Sequence, residues 1–304
     1  MINELTDIRS SFCKDGDLER MKTVELYPGI ELTFFTLATE NLCVHHAALD
    51  HIFEINYCRF GRMGWEMSNG NSVYLGPNDF SLHTLKTCAD SIMSFPNGVY
   101  EGLTISIDLR MLTDHPPEAL SGTGITGEFL YHKYCKDGST LSFAGNEQTE
   151  QIFSAFYNQP EQLQRSYQKI KVLELLLYVS ALNTDTTGRL TEYHSAQVET
   201  IRTIHEYLIT HMEQRLTVES LSKQFLMNPT TLKAIFKSVY GTSIAAHMKE
   251  HRMEQAAKLL RETGFSIAEI AGRVGYDSQS RFTTAFKEYS GKLPKDYRRN
   301  SLSK

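Results

Sequence analysis

Residues 266–291 read Ser-Ile-Ala-Glu-Ile-Ala-Gly-Arg-Val-Gly-Tyr-Asp-Ser-Gln-Ser-Arg-Phe-Thr-Thr-Ala-Phe-Lys-Glu-Tyr-Ser-Gly. Ile267 to Val274 is a short amphipathic helix, Gly275-Tyr276-Asp277 a tight connection, and Ser278 to Ser290 a second helix. Asp277 or Ser278 suits the N-cap, and Gly291 stands where a left-handed C-terminal cap is wanted. Two helices joined by a three- to four-residue turn make a helix-turn-helix. The second helix of such a pair fits the major groove of duplex DNA, with its N-terminal residues at base edges.

The pattern occurs twice. At an offset of 50 residues, Glu219 falls on Glu269, Phe236 on Phe286, Lys237 on Lys287 and Gly241 on Gly291, while Leu232 and Ile235 fall on Phe282 and Ala285. In the first copy, Thr217 to Phe225 leads through Leu226-Met227-Asn228 into Pro229–Tyr240. Asn228 is the N-cap, Pro229 takes the first helical position, and Gly241 is the stop. Between the copies, Ser243 to Thr263 reads as one helix. Ile244, Met248, Met253, Ala257 and Leu260 form its buried stripe, and Lys249, Arg252, Lys258 and Arg261 its wet side. About 20 helical residues span ~30 Å, close to the ~34 Å turn of B-DNA, so both second helices could enter successive major grooves on one face.

Charge separates the two ends of the chain. From Glu199 onward there are 17 basic and 11 acidic residues, a net +6, whereas residues 1–198 carry 14 and 25, a net −11. A basic C-terminal third on an acidic body points to a polyanion partner for one domain only. With 304 residues, 41% of them apolar, the chain has material for two domains. No apolar run approaches the ~18 residues of a membrane span. Met1 to Arg20 lacks the apolar stretch of a signal peptide. Five scattered cysteines without a C-x-x-C give neither a disulfide framework nor a structural zinc site, so a cytoplasmic protein is expected.

The region from about Val198 to Arg299 resembles the DNA-binding domain of the AraC/XylS family of bacterial transcription regulators. The resemblance is carried by Ser266-Ile267-Ala268-Glu269-Ile270-Ala271, Val274-Gly275-Tyr276, Phe282 and Phe286-Lys287, Gly291, Pro294 and Tyr297-Arg298. It covers a third of the chain. One departure is Ser280-Arg281-Phe282-Thr283-Thr284, where the family more often has an aromatic before the Phe. The first copy, Met227-Asn228-Pro229-Thr230-Thr231-Leu232-Lys233, resembles the siderophore-responsive branch.

With Leu232, Ile235 and Phe236 facing inward, the first recognition helix presents Thr230, Thr231, Lys233, Ala234 and Lys237. With Phe282, Ala285 and Phe286 inward, the second presents Gln279, Ser280, Arg281, Thr283, Thr284 and Lys287. Gln pairs with adenine and Arg or Lys with guanine, and Thr methyls suit the thymine methyl. Lys237, Lys287 and Arg298 are placed for phosphates, which add affinity without sequence information. An ordinary solvated helix face is the alternative for each residue taken singly.

Upstream, Val24 to about Asp108 reads as short strands separated by Gly, Asn and Pro turns, the texture of a sandwich or small barrel. After His115-Pro116-Pro117 the pattern turns helical. Gln162 to Leu182 carries Tyr167, Ile170, Leu173, Leu177 and Ala181 at spacings of three and four, and Val172, Leu175, Leu176, Tyr178 and Val179 besides. A helix apolar around most of its girth needs cover on two sides. A barrel and a second subunit would provide it, as would burial within one domain. Asn183 to Gly188 is polar and reads as a linker.

The family resemblance implies an α+β chain with three parts. An N-terminal domain (1–182) holds a cupin-like β-barrel at about 24–110 and a helical dimerisation segment at about 116–182. A linker (183–197) and an all-α DNA-binding domain with two helix-turn-helix motifs (198–304) follow. Candidate effector-pocket residues are Trp65, Tyr57, Phe95 and Tyr100, with Arg59, Arg62 or Glu54 for orientation; barrel filling is the alternative for each. His45, His46, His51 and His83 contain no His-x-His, and neighbours on a strand face opposite ways, so no metal site is expected. No cofactor and no catalytic group is expected either. The expected partners are double-stranded promoter DNA, RNA polymerase, a small-molecule effector and a second copy of the chain, with no membrane. The competing function is a cupin-type metalloenzyme fused to a DNA-binding domain.

Overall fold

The computed structural model describes residues 20–301, apart from positions 45, 68, 90, 137, 139 and 185–187. Cys13, His45 and positions 185–187 of the expected linker lie outside the described residues. The chain divides into two compact units, Met1–Ser195 and Ala196–Lys304.

The first unit is built on two antiparallel sheets. One has six strands in the order β1 (Arg20–Tyr27), β2 (Ile30–Leu37), β9 (Tyr100–Asp108), β4 (Ile52–Gly61), β7 (Phe80–Thr84) and β10 (Leu141–Phe143). The other runs β11 (Tyr193–His194), β6 (Asn71–Leu75), β5 (Met63–Glu66), β8 (Ser91–Ser94) and β3 (Asn41–Val44). The expected cupin-like barrel is therefore corrected in one respect: no ring of hydrogen bonds closes it among the described residues. The chain passes from the first sheet to the second at Gly61. Its φ is +77°, and a Cβ there would stand 2.1 Å from the Val99 carbonyl oxygen, so only glycine makes this bend without displacing the backbone.

Period two explains the rest of the larger sheet. Ile30, Leu32, Phe53, Ile55, Tyr57, Leu103, Ile105 and Ile107 share one core with Leu130, Phe153, Val172 and Leu176 from the helices laid over that face. These helices are α1 (Leu109–Asp114), α2 (Gly127–Tyr134), α3 (Glu147–Ser154) and α4 (Gln164–Ala181). The intervening residues, Glu31, Thr33, Glu54, Asn56, Thr104 and Ser106, face the smaller sheet and line the space between.

Helix α4 buries Gln168, Val172, Leu175, Leu176 and Val179. At about 1.5–3 kcal/mol per fully buried aliphatic side chain, this face anchors the helix. The stripe singled out by spacing lies on the other side: Tyr167, Ile170 and Leu177 are exposed, Leu173 is half-buried and Ala181 is exposed. Two expectations change here. The segment at 116–182 contains a strand, β10, which pairs with β7. The expected linker is docked where it is described: Leu190 donates its N–H to the Ser142 carbonyl, and Tyr193–His194 pairs with Ser72–Asn71. A polar composition alone cannot distinguish a linker from an edge strand whose backbone is paired. Among the described residues, no helix is long and apolar enough to cross a membrane.

The second unit is helical: α5 (Ser195–Thr210), α6 (Val218–Gln224), α7 (Pro229–Tyr240), α8 (Ile244–Glu262), α9 (Ile267–Arg273), α10 (Gln279–Ser290) and α11 (Pro294–Ser301). The helix starts are written in side chains. Thr217 and Ser266 each form a capping box with the residue three positions on, Ser220 and Glu269. Asn228 caps α7 ahead of Pro229, and Ser278, not Asp277, caps α10. Gly241 and Gly291 end α7 and α10 in the left-handed region. These caps correct the repeat register. The leading helices correspond at an offset of 49, Thr217 to Ser266, and the second helices at 50, Asn228 to Ser278. The Glu219–Glu269 identity is thus out of register, because Glu269 accepts from the Ser266 N–H, a place held by Ser220 in the first copy. The turn follows the 49 offset: Leu226 at φ +52° corresponds to Gly275 at φ +77°.

Candidate nucleic-acid interface and interior cavity

Helices α7 and α10 each present a polar row. On α7, Leu232, Ile235 and Phe236 are buried, which leaves Thr230, Lys233, Ala234 and Lys237 exposed and Thr231 partly so. On α10, Phe282, Ala285 and Phe286 are buried. Gln279, Ser280, Arg281, Thr284 and Lys287 are exposed, and Thr283 is partly so. The cause is the 3.6-residue period: apolar residues at i, i+3 and i+4 claim one face and leave the rest to water.

Three basic groups are engaged within the unit. Arg298 donates from Nη2 to the Phe265 carbonyl at 2.6 Å and from Nε to the Leu260 carbonyl at 3.4 Å, so its guanidinium caps backbone instead of facing a phosphate. Arg252 donates to the Met212 carbonyl at 2.9 Å and the Gln214 carbonyl at 3.0 Å, tying α8 to the segment after α5. Lys249, on the wet side of α8, pairs with Glu288 at 2.9 Å. Helix C-termini leave carbonyls without partners, and arginine is well suited to satisfy them. Sequence spacing carries no signal for these contacts.

In the first unit, a cavity of about 80 Å³ lies between the two sheets. That is several times the ~10–15 Å³ needed to hold one water on the same measure. One wall is polar. Ser106 donates to Glu54 at 3.0 Å, and Thr104 donates to Asn56. The opposite wall is apolar, with Leu42, Met63, Trp65 and Met93. His83 Nε2 lies 3.6 Å from Glu54 Oε2. Burial pushes Glu54 up to about 7 and His83 down to about 4, so between these values the contact joins a carboxylic acid and a neutral imidazole. The Trp65 indole N–H and His83 Nδ1 are buried without a hydrogen-bond partner among the described residues.

Glu54, Trp65 and Tyr100, named from sequence, line this cavity. Four others do not. Tyr57 stands three residues from Glu54 on the same strand, hence on the opposite face, and stacks on Phe153 at 4.2 Å. Arg59 pairs with Glu101 at 2.6 Å and lies over the Tyr157 ring. Arg62 sits against Gly76 beside Asp79. Phe95 packs behind the wall on Tyr100 at 5.2 Å. His83 and Cys88 line the cavity but were absent from the sequence-based pocket. With Glu54 they bring a carboxylate oxygen, a ring nitrogen and a thiol within 4.8 Å of one another, a grouping that the missing His-x-His does not reveal because the three come from separate segments.

Known proteins match the helical unit. A family model described as a helix-turn-helix domain matches residues 221–300. The HTH-type transcriptional regulator AlkR of Acinetobacter baylyi is 33% identical over 108 residues, 36% of this chain and 34% of AlkR. The transcriptional regulator Rob of Salmonella typhimurium is 33% identical over 105 residues, 34% of this chain and 36% of Rob. The solved C-terminal domain of AraT, a response regulator from Geobacillus stearothermophilus, is 40% identical with a TM-score of 0.32, covering 33% of this chain and 84% of that one. The chain spans about a third of the length of these two curated relatives.

Proposed function

We propose that this chain, whose C-terminal unit is a DNA-binding domain of the AraC/XylS family, is a sequence-specific transcription regulator that grips promoter DNA through two helix-turn-helix pairs. The observation that carries the proposal is the doubled one. Two capped helices, α7 and α10, expose polar rows joined by the 19-residue α8. Gln279, Ser280, Arg281, Thr283 and Thr284 read base edges on one side, and Thr230, Thr231, Lys233 and Ala234 on the other, while Lys237 and Lys287 hold phosphates. Lys233, Lys237, Arg281 and Lys287 are exposed and make no ion pair among the described residues, so their charge is available to DNA.

The first unit serves as the sensor. Its cavity suits a small effector with an apolar body against Trp65 and Met93 and a polar end toward Glu54, where an acceptor would satisfy the Trp65 N–H. The exposed Tyr167, Ile170 and Leu177 stripe of α4 provides the surface for a second copy, and an effector that binds one arrangement of the dimer better shifts occupancy or polymerase contact.

The experiment is anisotropy of the full chain on duplexes selected from a genomic pool, across a salt series. Arg281→Ala loses ~1–3 kcal/mol on the selected site and little on scrambled DNA, whereas Lys287→Ala weakens both alike and lowers the salt slope by about one. Equal weakening of both duplexes by Arg281→Ala removes the base-reading role.

A further inference from the structure

His247 and His251 stand one turn apart on α8, so their rings share a face. Their Nε2 atoms are 3.0 Å apart. Helix α5 lays His205 beside them, with ring centroids 5.0 Å from His247 and 5.7 Å from His251. One nitrogen of each of the three lies within 4.8 Å of the others. Tetrahedral zinc, with Zn–N near 2.0–2.1 Å, holds its ligand atoms ~3.3 Å apart. One pair, His247 and His251, already stands at about that distance.

Two further observations point to a ligand. His205 Nε2 is buried with no hydrogen-bond partner among the described residues, an exception to the rule that buried polar atoms are paired. Glu254 Oε2 lies 3.5 Å from His251 Nδ1, the nitrogen facing away from the cluster. A carboxylate on the outer nitrogen of a histidine fixes its tautomer and raises its basicity, the usual outer support of a metal-bound imidazole. His251 is a third exposed, which leaves a path for an ion and room for a solvent molecule.

We propose that His205, His247 and His251 form a three-imidazole site for a divalent transition metal of the zinc class, with water as fourth ligand and Glu254 positioning His251. The site joins α5 to α8. It also lies against the last turn of α7, where Tyr240 stacks on His205 at 4.4 Å. Occupation therefore clamps the helices that support the first recognition helix. Metal binding at these three residues stands independently of the DNA-binding role.

The test uses the full chain, stripped by chelator and titrated with zinc and with cobalt(II). Zinc raises the thermal midpoint of the wild type. Cobalt develops visible bands of a tetrahedral nitrogen site without a near-ultraviolet thiolate band. Both His251 and Glu254 are at least a third exposed, so their variants retain the fold. His251→Gln abolishes the midpoint rise, and Glu254→Gln weakens affinity 10- to 100-fold. Unchanged zinc affinity in His251→Gln overturns the proposal. So does a thiolate band, which would place the metal on a cysteine, or the absence of any midpoint shift in the wild type.

Discussion

Gly275 is where the second helical pair meets the rest of its unit, and Gly275→Ala tests that junction. Its φ of +77° costs an L-residue roughly 1–2 kcal/mol. The loss of chain freedom in the unfolded state returns about 0.4–1 kcal/mol. Geometry decides the sign. The new Cβ would stand 2.5 Å from the Met212 carbonyl oxygen and 3.0 Å from Arg252 Nη2. The same carbonyl accepts two hydrogen bonds from Arg252, at 2.9 and 3.2 Å. Relieving the clash strains those bonds, and a hydrogen bond to a charged group is worth about 1.5–3 kcal/mol. The expected net loss is roughly 2–4 kcal/mol, a fall of about 8–16 °C in the unfolding midpoint of the helical unit at ~4 °C per kcal/mol. Gly272 is the control. It lies inside α9 with nothing among the described residues within 4 Å of a built Cβ, so Gly272→Ala gains up to ~1 kcal/mol of helix propensity. Calorimetry of the full chain resolves the transition. A shift below about 2 °C for Gly275→Ala, or the same sign for both variants, refutes the assigned contact at Met212.

The cavity pair gives a pH prediction. Glu54, raised from 4.5 to about 7, contributes stability that is complete below its unfolded value and is lost as pH climbs through 7; His83, lowered from 6.5 to about 4, contributes stability present above 6.5 and lost as pH falls to 4. Between about pH 4.5 and 6.5 these slopes oppose, at ~1.4 kcal/mol per pH unit each, and nearly cancel in the wild type. Glu54→Gln should therefore make the first unit's midpoint fall on acidification through this window, and His83→Gln should make it fall on alkalinisation; flat profiles in both variants contradict a neutral acid beside a neutral imidazole. Arg298→Met should cost ~1–3 kcal/mol of stability through the lost Leu260 and Phe265 carbonyl contacts while leaving the salt slope of DNA binding unchanged. A slope reduced by about one would return Arg298 to the phosphate backbone.

Local features could be read directly from the order of the residues. Capping residues, helix-stopping glycines and the 3.6-residue period lie within a few positions of one another, so the two helical pairs and their outward rows at Thr230–Lys237 and Gln279–Lys287 were legible, down to the buried Phe236 and Phe286. Period two likewise marked the strands from Ile30 to Asp108. It also held the information that Tyr57 and Glu54 face opposite ways. Features that depend on distant partners emerged from the folded chain alone. The bend at Gly61 splits one expected barrel into two sheets, and Tyr193–His194 joins an edge rather than hanging free. Arg298 and Arg252 spend their charge on carbonyls 33 to 40 residues away. His205 reaches His247 and His251 across two helices. The physical reason is range: hydrogen bonds within a turn or a cap are encoded in neighbouring residues, whereas contacts across the core exist only once hydrophobic burial has brought the elements together.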